Sequence, residues 1–441
     1  MTVRTEPVAA ATGVQRLLAG WRRTGGAAEL REHLARHGHM PLRGTGRGGP
    51  GPLAQIVADA GLTGRGGAGF PTGTKMRAVA ERRGPAVVVG NGMEGEPASE
   101  KDQVLLSLAP HLVLDGLLLA ADAVGATQAH LCLPRDRPWQ AEGMLAALAE
   151  RERAGTDQLP VSVHALPHRY VSSEETALVS WLSGGEAKPL GASPRPFERG
   201  VGKRPTLIGN VETLAHVALI ARYGPAWFRQ AGQPDAPGTM LVTVSGAVAA
   251  AGVYEIEMGT RIGDVLALAA PSGPLGGLLV GGYFGSWLDP RAAVDLPVTA
   301  AALRQAGASI GAGVLVALPA SACGLHETAR VLAYLAGESA GQCGPCAFGL
   351  PAIAGDFADL SAGRSAGPAF QRLQRRLGAV TGRGACRHPD GAVRLASSAL
   401  ACFRADLQAH ARQQPCHATR YGNPARAVLP VPRPHDLERW I

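Results

Sequence analysis

The stretch AVVVGNGMEGEP, residues 86–97, joins a short apolar run to an acidic, glycine-rich loop. A second apolar run, AHLCL at residues 129–133, follows a long apolar segment at residues 104–124 that has the length of a helix. Short buried strands that alternate with helices are typical of a parallel sheet covered by helices. The sequence therefore predicts an α/β fold whose acidic loop lies beyond the carboxyl end of a strand, where such sheets bind ligands.

Other regions surround this α/β segment. Residues 11–37 have an Arg-rich amphipathic helical pattern, and a Gly/Pro linker follows at residues 44–52. Strand-like runs begin near residue 239, and the pattern beyond residue 320 is mostly helical. We divide the chain into an N-terminal helical extension (1–52), an α/β domain (53–235), a β-grasp-like module (238–305), a helical domain (310–414) and a C-terminal tail (415–441).

Composition limits the kinds of partner. The 441 residues carry a net charge of +8, which suits an anionic ligand or an acidic protein, but only 5% of them are aromatic. Binders of single-stranded nucleic acid need aromatic stacking platforms, so we expect no nucleic-acid partner. The start of the chain lacks the apolar core of a secretory signal, and the most apolar segments are interrupted or too short to span a bilayer. We therefore predict a cytoplasmic protein that meets membranes only through its partners.

The richest motif is GRGGAGFPTGTK, residues 64–75. Its glycines let the backbone approach a ligand and present N–H groups to an anion, and a helix that begins near Thr72 adds the partial positive charge of its N-terminus. Lys75 lies in the first turns of that helix, within reach of a phosphate. A flexible turn is the alternative interpretation, because no clear strand immediately precedes the motif as in a standard dinucleotide site.

Acidic and amide side chains follow the first predicted strand. Asn91, Glu94 and Glu96 lie in the loop beyond it, where a parallel sheet places its ligand contacts. Carboxylates and amides can bind the hydroxyl groups of a ribityl or ribose chain. A second acidic pair, Glu174 and Glu175, follows Tyr170. The alternative is that these side chains are only a solvated acidic face.

Three cysteines stand in a pattern that suits a metal centre. Cys343 and Cys346 form a C-x-x-C pair, and Cys386 follows forty residues later. Thiolates are the ligands of iron–sulfur clusters, but a cubane cluster takes four and only three stand here. Structural zinc is a second interpretation, in which His388 completes a Cys3His site. Buried cysteines without a ligand role are the third.

The order of five motifs is family-specific. GRGGAGFPTGTK, NxxEGEP, SEETAL, PTLIGNVETLA and ESxGxCxPC follow one another along residues 53–400. With them the chain resembles the NADH-binding, FMN-carrying subunit of bacterial complex I (the flavoprotein 1 family). It is similar also to the matching subunits of NAD-reducing hydrogenases and NAD-dependent formate dehydrogenases. The resemblance implies a Rossmann-like FMN-binding domain, a β-grasp-like module of the SLBB type and a helical bundle that carries a 4Fe–4S cluster.

The resemblance also implies roles for individual residues. The glycine loop cradles FMN, Asn210 contacts the flavin phosphate, and the acidic residues lie beside flavin and nicotinamide. Aromatic positions surround the NADH site. The implied cofactor-binding residues are Gly64, Arg65, Gly66, Gly67, Gly69, Phe70, Lys75, Asn91, Glu94, Glu96, Tyr170, Glu174, Glu175, Phe197 and Asn210, and the implied metal ligands are Cys343, Cys346 and Cys386.

Several positions depart from the family pattern. Ala340 replaces the first cluster cysteine, which leaves either a 4Fe–4S cluster with a substitute ligand, such as Cys323, or an incomplete cluster. Ala78 stands where the family has an aromatic residue that stacks on adenine, and Pro194 stands where it has a lysine. Arg195 or Arg204 near the adenosine end would favour NADPH, because an arginine accommodates a 2′-phosphate.

The resemblance implies an oxidoreductase with no acid–base residue. Hydride passes from NAD(P)H to FMN, and single electrons leave through the cluster or directly to a partner. The implied partner is a ferredoxin-like or thioredoxin-fold 2Fe–2S protein. The alternative is a catalytically degenerate FMN-binding paralogue with a structural or regulatory role.

Overall fold

The computed structural model describes residues 15–19, 29–41, 51–191, 193–364, 366–420, 427–433 and 439–440. Part of the helical extension expected at 11–37, and most of the linker expected at 44–52, lie outside the described residues. Helix α1 (Leu30–His37) belongs to that extension.

The first sheet is parallel throughout and has the strand order β3-β2-β1-β4. Val88 of β1 packs into one apolar layer, whereas Val87 and Val89 pack into the layer on the opposite face. This alternation with period two is that of a strand covered on both faces. The strands are β1 (Ala86–Asn91), β2 (Ala126–Pro134), β3 (Val161–Leu166) and β4 (Thr206–Asn210).

Helices cover this sheet and confirm the predicted α/β fold. At one crossing, α5 and α9 touch through their backbones: a Cβ added at Gly116 would lie 1.8 Å from the carbonyl oxygen of Leu214. A residue with a side chain at position 116 would push the helices apart. The helices of this part are α2 (Pro52–Ala60), α3 (Thr72–Ala80), α4 (Lys101–Leu108), α5 (Pro110–Val124), α6 (Pro138–Ala154), α7 (Glu175–Leu182), α8 (Pro196–Arg199) and α9 (Val211–Phe228).

The single helix expected at residues 104–124 is two helices, α4 and α5, bent by 97°. Ala109 between them has φ −132° and ψ 51°, because the ring of Pro110 disfavours helical geometry in the residue before it. Among the described residues no single helix is long and apolar enough to cross a membrane. The bent pair passes that test only when its two helices are counted together, and α5 is almost wholly buried in the protein core.

The second sheet has five strands in the order β10-β9-β11-β7-β8. Its central strand, β11 (Val314–Pro319), lies beyond residue 305, where the sequence-based boundary of the module stood. β11 pairs with β7 and β9, and its apolar side chains fill the middle of the sheet. The other elements here are β5 (Gly232–Gln233), β6 (Ala236–Pro237), β7 (Thr239–Gly246), β8 (Gly252–Glu257), β9 (Leu275–Val280), β10 (Ser286–Leu288), α10 (Ile262–Leu268), α11 (Pro290–Ala293) and α12 (Ala300–Gln305).

Helices form the remainder of the described chain. Two consecutive helices meet at Phe403, which follows the end of one at Cys402 and precedes the start of the next at Arg404. An apolar cluster centred on Leu332, Ile353 and Leu395 holds the helices together. They are α13 (Gly324–Gly337), α14 (Leu350–Ser361), α15 (Ala366–Val380), α16 (His388–Cys402) and α17 (Arg404–Ala411), with a π-helical turn at Pro345–Gly349.

Candidate functional site

Two asparagines mark the carboxyl edge of the first sheet. Asn91 ends β1 and Asn210 ends β4, and the two residues are paired across the sheet. The Asn91 amide donates to the carbonyl oxygen of Ser173 at 2.9 Å. The Asn210 side chain accepts from the Glu212 backbone amide at 3.0 Å and thereby caps α9. The predicted ligand edge therefore exists, and two of the predicted residues meet there.

The glycine loop closes beside this edge. The backbone amide of Gly64 donates to the Phe70 carbonyl at 2.9 Å, so the segment between them returns on itself. Residues 66–70 are exposed, and Gly67 has φ +109°, a conformation that side chains disfavour. We call residues 64–75 together with Asn91 and Asn210 the glycine-loop site. Its exposed backbone N–H groups can receive a phosphate, as the sequence predicts.

A buried arginine holds the glycine loop in place. The amide of Arg65 donates to Thr213, and its guanidinium donates to the carbonyl of Thr239 at 3.1 Å. Arg65 is therefore an anchor between the two sheets.

A lysine that the sequence analysis missed lies in the same layer. Lys101 contacts Asp102 at 2.6 Å and Glu212 at 2.9 Å, and it reaches Asn210 at 3.4 Å. Burial opposes its charge, but the two carboxylates outweigh that effect and raise the pKa of Lys101. Glu212 stands two positions after Asn210 in the GNVET motif, and this was the available signal.

Lys75 reaches the second acidic loop. Its ammonium group contacts the carboxylate of Glu175 and donates to the carbonyl of Ile208 at 2.7 Å. Glu174 instead caps α7 by accepting from the amide of Thr176 at 2.8 Å. Burial raises the pKa of Glu174. Of the predicted acidic pair, the more exposed Glu175 is thus the one that faces the glycine loop through Lys75.

Glu94 and Glu96 are both buried and bonded within the protein. The Glu94 carboxylate accepts from the amides of Asp102 and Gln103, at 2.9 and 3.0 Å, and so caps α4. Burial, with the adjacent Asp102 carboxylate, raises the pKa of Glu94. In the structure its carboxylate is engaged by the start of α4, and its predicted role as a cofactor ligand stays a prediction.

Glu96 joins the two sheets. Its carboxylate accepts from the Tyr170 hydroxyl at 2.9 Å and from the Tyr283 amide at 2.7 Å. Burial raises the pKa of Glu96 to about 7, although these hydrogen bonds act in the opposite direction. Tyr170 is itself buried, with its ring 4.7 Å from that of Phe284. The structure thus brings Glu96 and Tyr170 together, in an interior contact.

The other two predicted aromatic residues differ in exposure. Phe70, at the end of the glycine loop, has 53% of its surface exposed. Phe197 is partly buried, and the Arg82 guanidinium lies 5.3 Å from its ring centre. Phe70 is therefore the aromatic side chain available to stack on a ligand at the glycine-loop site.

The three predicted metal ligands come together between α13 and α16, and we call Cys343, Cys346 and Cys386 the cysteine centre. Burial raises the pKa of Cys346 to about 12; a hydrogen bond from Ser339 lowers it, and the sulfurs of Cys343 and Cys386 raise it further. Burial also raises the pKa of Cys386, and the Glu174 carboxylate contributes to that rise. The cysteine centre is thus within electrostatic reach of Glu174, the neighbour of Glu175.

None of the other four cysteines can supply its missing corner. Cys132 lies in β2, and Cys402 ends α16, the helix whose other end carries Cys386. Cys323, the substitute considered from the sequence, precedes α13, and its sulfur lies within 4.8 Å of the Cys416 sulfur. The centre lies beyond the far end of α13, a helix of 14 residues or about 21 Å. The Cys323 hypothesis is therefore wrong.

The zinc interpretation with His388 also lacks support. The His388 ring bonds the carbonyl of Leu335 at 2.7 Å and packs 5.7 Å from the Tyr170 ring. In the described chain it joins no group of metal-ligating atoms within 4.8 Å of one another. A single ion needs such a compact group, whereas a four-iron cluster spreads its thiolates more widely. The donor set fits three corners of an iron–sulfur cluster.

Comparison with known families matches this division into two centres. A family model described as the Nuo51 FMN-binding domain matches residues 57–219, which include the glycine-loop site. A second, described as the NADH-ubiquinone oxidoreductase-F iron-sulfur binding region, matches residues 326–410, which include the cysteine centre.

Similar proteins extend over nearly the whole chain. The F 2 subunit of NADH-quinone oxidoreductase from Rhizobium meliloti is 31% identical over 402 residues, covering 88% of this chain and 95% of that protein. The F subunit of the same enzyme from Salmonella typhimurium is 30% identical, covering 87% of this chain and 90% of its own.

Solved structures agree. A chain of air-oxidized NAD+-reducing NiFe-hydrogenase is 33% identical with a TM-score of 0.80, covering 90% of this chain and 67% of its own. In the H2-reduced hydrogenase the TM-score is 0.74, and this chain spans 62% of the matched chain. The motifs, the two centres and these relatives together confirm the resemblance: the chain belongs to the family of NADH-quinone oxidoreductase F subunits.

Proposed function

We propose that this chain is an NADH-dependent oxidoreductase that holds FMN at the glycine-loop site and delivers electrons through the cysteine centre to a partner protein. The proposal rests on one observation above all. The Glu174 carboxylate acts electrostatically on the Cys386 thiol, and the adjacent Glu175 contacts Lys75, so one acidic pair interacts with both centres. Electrons that leave a flavin here have a short path to the thiols.

The glycine-loop site fits FMN by its shape and donors. An open loop without side chains at Gly66, Gly67 and Gly69 leaves room for the isoalloxazine and ribityl groups. The N-terminal end of α9 lies beside Asn210, where a phosphate is favoured. When bound, FMN would accept a hydride from reduced nicotinamide and return the electrons singly. The residues of the chain orient the rings and exclude water; none has to transfer a proton.

Lys75 and Glu175 position the dinucleotide in this proposal. Their contact sets the Lys75 ammonium group at the mouth of the glycine loop, while Phe70 offers an exposed ring for stacking. Arg204 donates to the side-chain oxygen of Gln128, whereas Arg195 is exposed. We favour NADH because the similar F subunits belong to NADH-quinone oxidoreductases, and NADPH stays the alternative donor.

The cysteine centre would hold an incomplete or substituted iron–sulfur cluster. The Ser339 hydroxyl bonds Cys346 and offers an oxygen atom on the segment that lacks the fourth cysteine. Phe348, two residues after Cys346, has 79% of its surface exposed, and we propose that electrons leave on this side. A ferredoxin-like or thioredoxin-fold 2Fe–2S protein in the cytoplasm is the proposed acceptor, and any contact with a membrane goes through such partners.

The division of the chain into domains is part of the same proposal. A Rossmann-like FMN-binding domain occupies residues 53–235, a β-grasp-like module follows from 238 and takes in β11, and a helical domain carries the cysteine centre. The extension (1–52) and the tail (415–441) flank them.

The test is a visible spectrum of the purified chain, recorded anaerobically without added cofactor, before and after addition of NADH. A flavin spectrum that bleaches with NADH supports the proposal, and extracted cofactor should be FMN. A protein without flavin would overturn it.

A flavin that NADH leaves oxidised, while dithionite reduces it, would favour the catalytically degenerate paralogue. Ala78 and Pro194 motivate that second candidate, because both replace residues expected around the dinucleotide. NADPH, tested in parallel, distinguishes a change of donor from a loss of activity.

A further inference from the structure

A second group of metal-ligating side chains lies at the beginning of α13, away from the cysteine centre. In the part of the chain that the structure describes, Cys323, His410 and Cys416 are the one group of three or more such residues whose ligand atoms all lie within 4.8 Å of one another. Cys323 directly precedes α13, His410 lies in α17, and Cys416 follows that helix. Three separate points of the helical region therefore converge.

Both thiols are buried and held in place. Cys323 and Cys416 have only 2% and 4% of their surfaces exposed, and neither is in a disulfide. The Cys323 sulfur accepts hydrogen bonds from the backbone amides of Leu325 and His326 in the first turn of α13. Burial raises the pKa of the free Cys323 thiol to about 12, and these amides at a helix N-terminus act in the opposite direction, since they favour the thiolate that binds metals.

The imidazole of His410 has the arrangement of a metal ligand. Its Nδ1 is buried and has no hydrogen-bond partner among the described residues. The backbone of Ser361 lies close enough to the ring to interact with it. Histidines that bind metals commonly donate one ring N–H to a backbone carbonyl and direct the other nitrogen at the ion. Without an ion, a buried unpaired nitrogen is costly.

The neighbouring acid is already engaged. Asp406 accepts from the backbone amide of His417 at 2.9 Å and from its ring Nδ1 at 2.6 Å. The donor set is therefore two sulfurs and one nitrogen, which suits Zn²⁺. Zn–S bonds near 2.3 Å place two sulfurs about 3.8 Å apart on a tetrahedral ion, so the observed spacing needs little adjustment. Two thiolates also neutralise the dication within an apolar core.

We propose that Cys323, His410 and Cys416 bind one Zn²⁺, with water in the fourth position. The ion fastens the chain after α17 to the beginning of α13. The same helix end receives the chain again further on, since the amides of Val428 and Leu429 donate to the Glu327 carboxylate. The site does not depend on the proposed function, because zinc has no redox chemistry in proteins.

The experiment measures zinc and iron by mass spectrometry in the full chain, purified anaerobically from zinc-supplemented cells. Wild type should hold about one zinc per chain, and Cys323→Ser, Cys416→Ser and His410→Ala should each lose it. Cys402→Ser is the matched control, because Cys402 lies in the same helical region outside the group; it should keep its zinc. Cys346→Ala should lose iron and keep zinc.

Cobalt provides a readout that does not need a stable variant. Co²⁺ added to metal-stripped wild type should give the visible bands of tetrahedral thiolate-bound cobalt, and Cys416→Ser should not. The proposal is overturned by wild type that takes up neither zinc nor cobalt, by zinc retained in both Cys323→Ser and His410→Ala, or by an intact mass showing Cys323 and Cys416 joined as a disulfide in freshly purified protein.

Discussion

The glycine-loop site and the cysteine centre are built from different chemistry. In our proposal the first binds its ligand mainly through backbone N–H groups that glycines expose, with Asn91 and Asn210 at the ends of paired strands. The second depends on individual sulfur atoms, and the single alanine at position 340 removes one of them. A backbone site tolerates divergence at its margins, whereas a metal site loses a bond with each ligand replaced. The comparison teaches that the two centres of one electron path can diverge independently.

Substituting Gly67 should have the largest effect, on the backbone site. Gly67→Leu places a bulky side chain at φ +109°. The strain is about 1–3 kcal/mol, which corresponds to roughly 5- to 150-fold weaker FMN retention. FMN per chain, measured after gel filtration, reports the loss. Gly355→Leu, at an exposed helical glycine with open space around it, is the control and should retain FMN. Full occupancy in Gly67→Leu would remove the loop from the flavin site.

Restoring a cysteine at position 340 should change the cysteine centre and leave the glycine-loop site unchanged. Ala340 packs against the same apolar cluster as Cys343, so Ala340→Cys supplies a fourth thiolate on the right segment. We expect iron to rise to about four per chain and the cluster to survive air longer, while FMN content stays constant. Iron and sulfide assays with EPR measure this. Unchanged iron in Ala340→Cys would show that the fourth corner is not what limits the centre.

Glu175 should matter for the reaction and little for flavin content. Glu175→Gln breaks the contact with Lys75 and leaves the glycine loop intact. Flavin reduction by NADH, followed by stopped flow, should slow roughly tenfold, within the range of one charge-assisted contact. Glu186→Gln, which removes an exposed carboxylate paired with Lys188, is the matched control. An equal loss of FMN and of rate would make Glu175 merely structural.

The smallest effect is expected for Glu96, at the contact between the two sheets. The pKa of Glu96, near 4.5 in an unfolded chain, is raised to about 7 by burial. The folded protein therefore binds this proton more tightly than the unfolded chain does. The resulting contribution to the free energy of unfolding is fully present below pH 4.5 and is lost as the pH rises to about 7. Glu96→Gln should remove that decline.

The measurement is the Tm of wild type and of Glu96→Gln between pH 5 and 8. We expect the Tm of wild type to fall by roughly a few degrees over this range. Glu186→Gln again serves as the control, since Glu186 is exposed. Parallel Tm profiles for wild type and Glu96→Gln would show that Glu96 does not titrate in this range.

The sequence alone was enough to predict the fold class and the two centres. Val87, Val88 and Val89 predict a strand covered on both faces, and local apolar patterning is enough for that inference. The family order of motifs also pointed to Asn210 and to the C-x-x-C pair, because glycine loops and ligand spacings are contiguous in the chain. The break at Ala109 was missed, although Pro110, which follows it, was the available signal.

Tertiary structure decided what each side chain does. Glu94 and Glu175 are both acidic loop residues in the sequence, yet Glu94 caps α4 whereas Glu175 contacts Lys75. β11 joins the second sheet through pairings with β7 and β9, which no local pattern could place. Cys323 was taken from the sequence as a substitute cluster ligand, but α13 carries it to Cys416 and His410 instead. Local propensities determine elements, whereas partners distant along the chain are chosen by packing and by the pairing of buried polar groups.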